Sequence, residues 1–260
     1  MGQPERLRRG AVAGGGSNDT LMDGRAFVSN SDVKVMSSGG LKAVIGELAN
    51  AFERASGHKL APVFAPPAAI KTRIESGEVV DVAVLSTALI DDLVRHGKLA
   101  AESRIALARS GLGVAVRAGA PKPDISTAEA FTRTLLAAKS IVFTDPAAGG
   151  ASGIHFAKLI ARLGIEQEVM AKARLNSGGY NAEFVARGEA ELAVQQISEI
   201  LPVQGAELVG PLPADIQVIT AFAAAIATNA KNPAGAKELI AFLASPTAAR
   251  VIAANGMQPG

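Results

Sequence analysis

From Asp32 onward the chain repeats one motif: a short run rich in β-branched residues, a turn of Gly, Ser or Pro, then a segment with apolar residues at helical spacing. A strand followed by a crossover helix needs that alternation, and its repetition specifies a largely parallel sheet covered by helices on both faces. The run VKVM (33–36) passes through Ser37-Ser38-Gly39-Gly40 into a helix whose Leu41, Val44, Ile45, Leu48 and Phe52 form one apolar stripe, stopped by Gly57. APVF (61–64), the Pro66-Pro67-Ala68 turn and a helix through Ile70 and Ile74 follow. VVDVAVLS (79–86) then reads as a buried strand and ALIDDLVRHG (88–97) as a helix.

A second lobe repeats the pattern. SIVFTD (140–145) is a strand, Gly149 to Gly153 a glycine-rich turn into a helix, ELAVQQIS (191–198) and ELVGPLP (207–213) further strands, and two helices broken near Pro246 end the chain. The long apolar runs 104–119 and 216–228 are suited to crossing between lobes. Few segments then join the lobes, and each can absorb a rotation, so the pair acts as a hinge with a binding cleft beside it. The expected partition is a poorly ordered tail over 1–31, a first lobe from 32–115 and 221–260, and a second from 116–220.

Composition narrows the function. Lys and Arg number 26 against 24 Asp and Glu, interspersed, and aromatic residues are 4% with no Trp; neither the basic stripe nor the stacking platform of a nucleic-acid binder is present. The absence of Cys removes disulfides and thiolate metal sites, and His58, His96 and His155 are too scattered for metal-ligand spacing, so no metal and no cofactor are expected. The basic N-terminal stretch lacks the apolar run of a secretory signal, and no segment approaches the roughly 20 apolar residues of a membrane span.

Three turns carry small polar residues at strand ends: Ser37, Ser38, Gly39 and Gly40; Gly149 to Gly153, with Ser152 and Gly153; and the segment with Tyr180 and Asn181. Gly lets backbone N–H groups approach a ligand at a helix start, which suits an oxyanion or carboxylate, although the same residues also serve as ordinary turns and caps. None has a Walker A lysine. Arg109, beside Ser110 where the chain leaves the first lobe, is a candidate carboxylate clamp. His155 is a candidate donor or base whose pKa a helix N-terminus would lower. Gln195 and Gln196 are consecutive on a strand, so only one can face the cleft.

The progression VKVMSSGGLKAVIGELANAFERASG, FAPPAAIKTRIESGEVVDVAVLS, GIHFAKLIARLG and GEAELAVQQISEI resembles the type 2 periplasmic solute-binding proteins, most closely the molybdate-binding protein family of ABC transporters. The resemblance implies an α/β fold of two lobes, each a mixed sheet flanked by helices, with a two-strand hinge. It further implies capture of a small anion, a periplasmic location, an ABC transporter permease as partner and a monomeric, non-membrane-embedded protein. In that family Ser side chains and backbone N–H groups hold the oxyanion. The first Ser falls near Gly40 with Ser38 as nearest hydroxyl, the second in Pro66-Pro67-Ala68, where Pro67 and Ala68 offer none, and the second-lobe turn matches Ser152, while the family's strand-end Tyr falls at Gln196. These replacements fit an organic acid better than molybdate. The alternative is an isomerase of a small tricarboxylic acid, aconitate among them, with His155, Tyr180 or Glu199 as base. A third reading, a regulatory sensing domain, lacks a helix-turn-helix in the tail.

Overall fold

The structure, a computed structural model, describes residues 32–260; the tail expected over 1–31 lies outside the described residues. In chain order the elements are β1 (Val33–Ser37), α1 (Lys42–Ser56), β2 (Leu60–Phe64), α2 (Pro67–Glu75), β3 (Val82–Ser86), α3 (Thr87–Arg95), β4 (Ile105–Arg117), α4 (Ala128–Ala137), β5 (Ile141–Thr144), α5 (Ala151–Arg162), α6 (Glu166–Met170), β6 (Ala173–Asn176), α7 (Ala182–Ala186), β7 (Leu192–Gln196), α8 (Ile197–Ile200), β8 (Ala206–Pro211), β9 (Ile219–Ile226), α9 (Pro233–Leu243), α10 (Pro246–Ala254) and β10 (Gln258–Pro259). The strands run β2-β1-β3-β9-β4-β7-β5-β6, with β8 and β10 also pairing β4.

β4 belongs to both lobes. Its residues through Gly111 pair antiparallel with β9 in the first sheet, and from Leu112 onward it pairs with β7, with β8 beside it from Gly113. The change of partner is pinned by one side chain: Leu112 N–H donates to Gln217 Oε1 and Gln217 Nε2 donates back to Leu112 O, each at 2.9 Å. Gln217 thus supplies a strand-like pair of bonds just before β9 begins.

Each sheet is covered on both faces because successive strand residues point to opposite sides. Along β1, Val35 joins Leu48, Phe52 and Leu239 on one face, while Met36 joins Ile70, Leu85 and Ile90 on the other. In the second lobe Phe143 and Phe156 meet edge-to-face at 4.8 Å between ring centres. Their layer includes Phe131 and Ile160, and a smaller one under α7 holds Ala182 and Val185. Gly57, at φ 77°, closes α1 in the left-handed conformation that favours glycine.

Strands are shorter than the apolar runs that carry them at 79–86, 191–198 and 216–228, the last being strand only over Ile219–Ile226. The strand read from Val79 begins at Val82, just after Asp81, whose buried carboxylate accepts from Lys34 N, Lys231 N and Asn232 N, each at 2.8 Å. The run 191–198 ends as strand at Gln196, and Ile197 starts α8.

At the lobe surface Glu78 receives Arg73 Nε at 2.6 Å and Lys34 Nζ at 2.9 Å. These two cations, Arg73 first, hold its carboxyl well below its ordinary value, at about 2. A depressed folded-state pKa stabilises the fold above the unfolded value near 4.5 and ceases to do so as pH falls through 2. We expect the melting temperature of the unaltered chain to fall more steeply between pH 4.5 and 2 than that of Glu78→Gln, measured by circular dichroism; parallel slopes would remove this bridge from the acid response.

Candidate functional site

Between the lobes lies a cavity of about 280 Å3. The first lobe contributes Ser38, Gly39, Gly40 and Lys42 ahead of and at the start of α1, Phe64 to Pro67 at the start of α2, and Ser86 before α3. The second contributes Thr144, Ala148 to Ser152 leading into α5, Ser177 to Tyr180, Glu183, Gln196 and Glu199; Phe222 of β9 completes the wall. Lys42 is the one cation among the described residues of this lining.

The helix starts around it share an unusual property. Among the described residues seven helices have nine or more residues, and α1, α2, α3 and α5 start at the cavity. None of these four has a side-chain cap: the residues at their starts, Ser38 ahead of α1 included, make no such hydrogen bond. The three that start elsewhere are all capped, by Thr127 on Ala130 N, Asn232 on Gly235 N and Ser245 on Ala248 N. First-turn N–H groups have no acceptor within their own helix, so an uncapped start leaves donors and the positive end of the helix dipole for something else; at α1, where Leu41 N and Lys42 N already donate to Ser38 O and Gly39 O, that start is the turn at Gly39 and Gly40. Here four such ends converge on one space.

The lobes touch at two points of its rim. A Cβ on Gly149, already at φ 75°, would lie 2.9 Å from Ala68 Cβ, and a Cβ on Gly39 would lie 2.8 Å from Glu199 Oε1. Ser198 Oγ also donates to Gly40 O at 3.0 Å, tying α8 to the turn before α1. Glycine is needed where the two lobes approach this closely.

Glu199 is half-buried in the cavity wall, three residues after the N-cap position of α8. Burial pushes its carboxyl up to about 7, opposed by a hydrogen bond from the Gln196 backbone N–H. Tyr180 is raised to about 12, first by burial and then by the nearby Glu199 and Glu183. Lys42 Nζ sits 5.6 Å from the centre of the Tyr180 ring. The arrangement places one weakly acidic carboxyl, one phenol and one ammonium around the same end of the space.

Of the residues singled out from sequence, Ser38, Gly39, Gly40, Pro67, Ser152, Tyr180 and Gln196 line the cavity. Others stand behind it. Ser37 is buried and its hydroxyl donates to Ser38 O; Ala68 meets Gly149; Gly153 packs against Thr144, whose carbonyl oxygen leaves no room for a Cβ. Asn181 is buried and donates to Thr144 Oγ1 and Val194 O at 3.1 Å, fixing the strand end.

Arg109 lies outside the lining. It is exposed on β4, opposite Gln258 of β10 and Ala221 of β9. His155 is also outside the lining, on α5, and its pKa is lowered, first by burial and then by Lys158. The two glutamines do split between faces. Gln196 points to the cavity, and the amide orientation that satisfies both its ends donates to Ser110 O at 3.1 Å while accepting from Thr220 Oγ1 at 2.7 Å. Gln195 points the other way, its Oε1 accepting from Ala182 N at 3.0 Å and its buried Nε2 without a protein acceptor among the described residues.

Lys42, Ser86, Thr144, Glu183 and Phe222 were not singled out as site residues from the sequence. Lys42 alone left a signal, two residues after the Gly39-Gly40 turn.

A family profile described as bacterial extracellular solute-binding protein matches residues 33–258. The chain belongs to that family. This solute-binding protein is 38% identical over 231 residues to a Pseudomonas protein named aconitate isomerase, spanning 86% of this chain and 87% of that one. It is 27% identical over 235 residues to a molybdate-binding protein of Azotobacter vinelandii, covering 86% and 89%. Among solved structures the periplasmic molybdate-binding protein of the same organism superposes with a TM-score of 0.75 at 19% identity, over 87% of this chain and 98% of that one. The fold is therefore the two-lobed periplasmic-binding-protein type expected from the resemblance. No helix among the described residues is long and apolar enough to cross a membrane.

Proposed function

We propose that this protein captures a small polycarboxylic acid in the interlobe cavity. The convergence of four uncapped helix starts on one space carries this reading, since each offers N–H donors and positive dipole character to an anionic group. Their spread around the wall suits several carboxylates better than one compact oxyanion. The turn at Pro66 and Pro67 lacks a hydroxyl, and a proline has no N–H to give. Phe64, Pro67 and Phe222 offer apolar surface to a carbon skeleton. The volume sits at the small end of ligand pockets, which run about 300–1,000 Å3.

On this reading the ligand enters between open lobes, bonds to both, and by its greater affinity for the closed state shifts the population toward closure. The hinge lies where β4 changes partner at Gly111 and Leu112, a few residues before the boundary at 115/116 read from the sequence, and separates a first lobe of about 32–111 and 219–260 from a second of about 112–218. Closure would present a joined surface to an ABC transporter permease at a periplasmic location, with the protein acting as a monomer.

A second reading, isomerisation of the captured acid, is favoured by the 38%-identical relative named aconitate isomerase together with Glu199 and Tyr180 in the lining. It includes capture.

A thermal-shift series tests capture, with cis-aconitate, trans-aconitate, dicarboxylates, molybdate, sulfate and phosphate. A ligand at 100 times its Kd adds about 2.7 kcal/mol. For a chain of this size that raises the midpoint by about 5–11 °C. Such a rise with a polycarboxylate is expected. A rise with molybdate alone would overturn the reading in favour of an oxyanion.

A further inference from the structure

We propose that Glu199 is the proton-transfer residue of the cavity, moving one proton between two carbons of a bound unsaturated polycarboxylic acid and so shifting its double bond. The inference rests on the polycarboxylate reading above and goes further by naming the reacting group and the bond changes.

The geometry sets Glu199 apart from every other carboxylate of the lining. It is held at the first turn of α8, where its carboxyl reaches back to the Gln196 backbone N–H. Its Oε1 stands against Gly39 of the opposite lobe, at a point where any Cβ would collide with it. A carboxylate in this position borders the ligand space from one lobe while the other lobe seals it from behind. No Lys or Arg forms an ion pair with it among the described residues; the charged and titratable groups facing it are Tyr180 and, beyond that ring, Glu183 and Lys42. Burial without a cationic partner leaves the carboxyl near 7, where acid and base forms are both accessible.

The reaction needs no further reagent. In its base form Glu199 takes a proton from a saturated carbon that flanks both a carboxylate and a carbon–carbon double bond. The C–H bond breaks and its electron pair becomes a new double bond. The former π pair then forms a C–H bond at the far carbon with the proton that Glu199 carries. Product and reactant have the same formula, and Glu199 returns to its base form. Negative charge that builds on the flanking carboxylate during the transfer is met by the N–H groups of the uncapped helix starts. Glu183, the other carboxylate of the lining, is on α7, in the first turn of that element, and Arg187 is its ion-pair partner at 3.7 Å.

Glu199 also serves as a reach-back acceptor for α8, and the test separates the two roles. Glu199→Gln keeps an oxygen for the Gln196 N–H but cannot take up the proton. Proton NMR in D2O with cis- and trans-aconitate, from pH 5.5 to 8.5, reads both isomer conversion and deuterium entry. In the unaltered protein we expect conversion to rise through about pH 7 as the base form appears. Because the carboxyl is shielded, early product should carry less than one solvent deuterium per turnover. Glu199→Gln is expected to bind within about threefold, by thermal shift, and to lose at least 100-fold in conversion. Glu199→Asp keeps the carboxylate on a shorter arm and is expected to regain part of the rate with a pH profile of the same shape.

A second readout does not depend on turnover. A pKa raised from 4.5 to about 7 stabilises the folded state below pH 4.5 and loses that contribution as pH rises through 7. The ligand-free melting midpoint should therefore fall over this range, and should not in Glu199→Gln. Conversion by Glu199→Gln within tenfold of the unaltered protein would overturn the assignment. Binding of aconitate with no conversion or exchange at pH 8.5 would overturn it while leaving capture intact. Failure of every polycarboxylate to bind would overturn both.

Discussion

Replacing Asp81 by Ala is expected to lower the melting midpoint by about 8–16 °C, the largest stability loss anticipated for a single site away from the cavity. Asp81 is 2% exposed, and its carboxylate accepts three backbone N–H groups from two separated segments, at Lys34 and at Lys231 and Asn232. Removing it strands three donors in a dry setting at once. Each such orphan costs on the order of 1–3 kcal/mol, giving about 4 kcal/mol or more in total. At 2–4 °C per kcal/mol for a chain of this size, the midpoint shift follows. Asp81→Asn keeps one oxygen but turns an NH2 group toward one of the donors, so roughly half the loss is expected. Thermal melts of the two variants check this, with the ligand-induced shift unchanged in both because Asp81 does not line the cavity. A loss below 1 kcal/mol in the Ala variant would mean water replaces the carboxylate readily.

Ser86→Asp should separate stability from binding in opposite directions. Ser86 ends β3 and occupies the N-cap position of α3, its side chain caps nothing, and it lines the cavity. A carboxylate there can accept the free N–H groups and complement the helix dipole, worth about 0.3–1 kcal/mol, so the ligand-free midpoint should rise by about 1–4 °C. The same charge would face an anionic ligand. At an effective dielectric of 20, unit charges about 4 Å apart repel by ~4 kcal/mol, which weakens binding by more than 100-fold. Isothermal titration calorimetry together with melts reads both quantities. An unchanged affinity would show that the start of α3 takes no part in anion capture, and a fall in both would show a damaged site.

Much of the fold is legible in the residues because helix and strand periods alternate so regularly. The stripe Leu41, Val44, Ile45, Leu48 and Phe52 is buried throughout, and the break at Pro246 separates α9 from α10 as the sequence reads. The glutamine pair also reads correctly, since a strand must send Gln195 and Gln196 to opposite faces. What the sequence conceals is which small polar residues do not do their usual work. Ser38 and Ser86 stand at N-cap positions without a capping hydrogen bond from their side chains, whereas Thr127 and Ser245 stand at such positions and cap. Only the position of each helix start relative to the cavity distinguishes them. Arg109 misled because the last strand, β10, is two residues long and leaves no periodic signal, so its pairing beside Arg109 could not be read. Glu199 reads from the sequence as one candidate base among three, but its place in the wall depends on the four-residue α8, too short for periodicity to reveal.

The insertion of β9 between β3 and β4 also sets the order in which the chain can be completed during synthesis. Until Ile219 emerges, about 130 residues after Ser86, β3 has no neighbour on that side, and all of its residues but the last are buried apolar ones in the finished sheet. The strands of the second sheet are all made before then. At about 5–20 residues per second the nascent chain carries this open apolar edge for on the order of ten seconds. Such an edge is prone to pair with other chains, so the first lobe is the part for which a holding chaperone matters most.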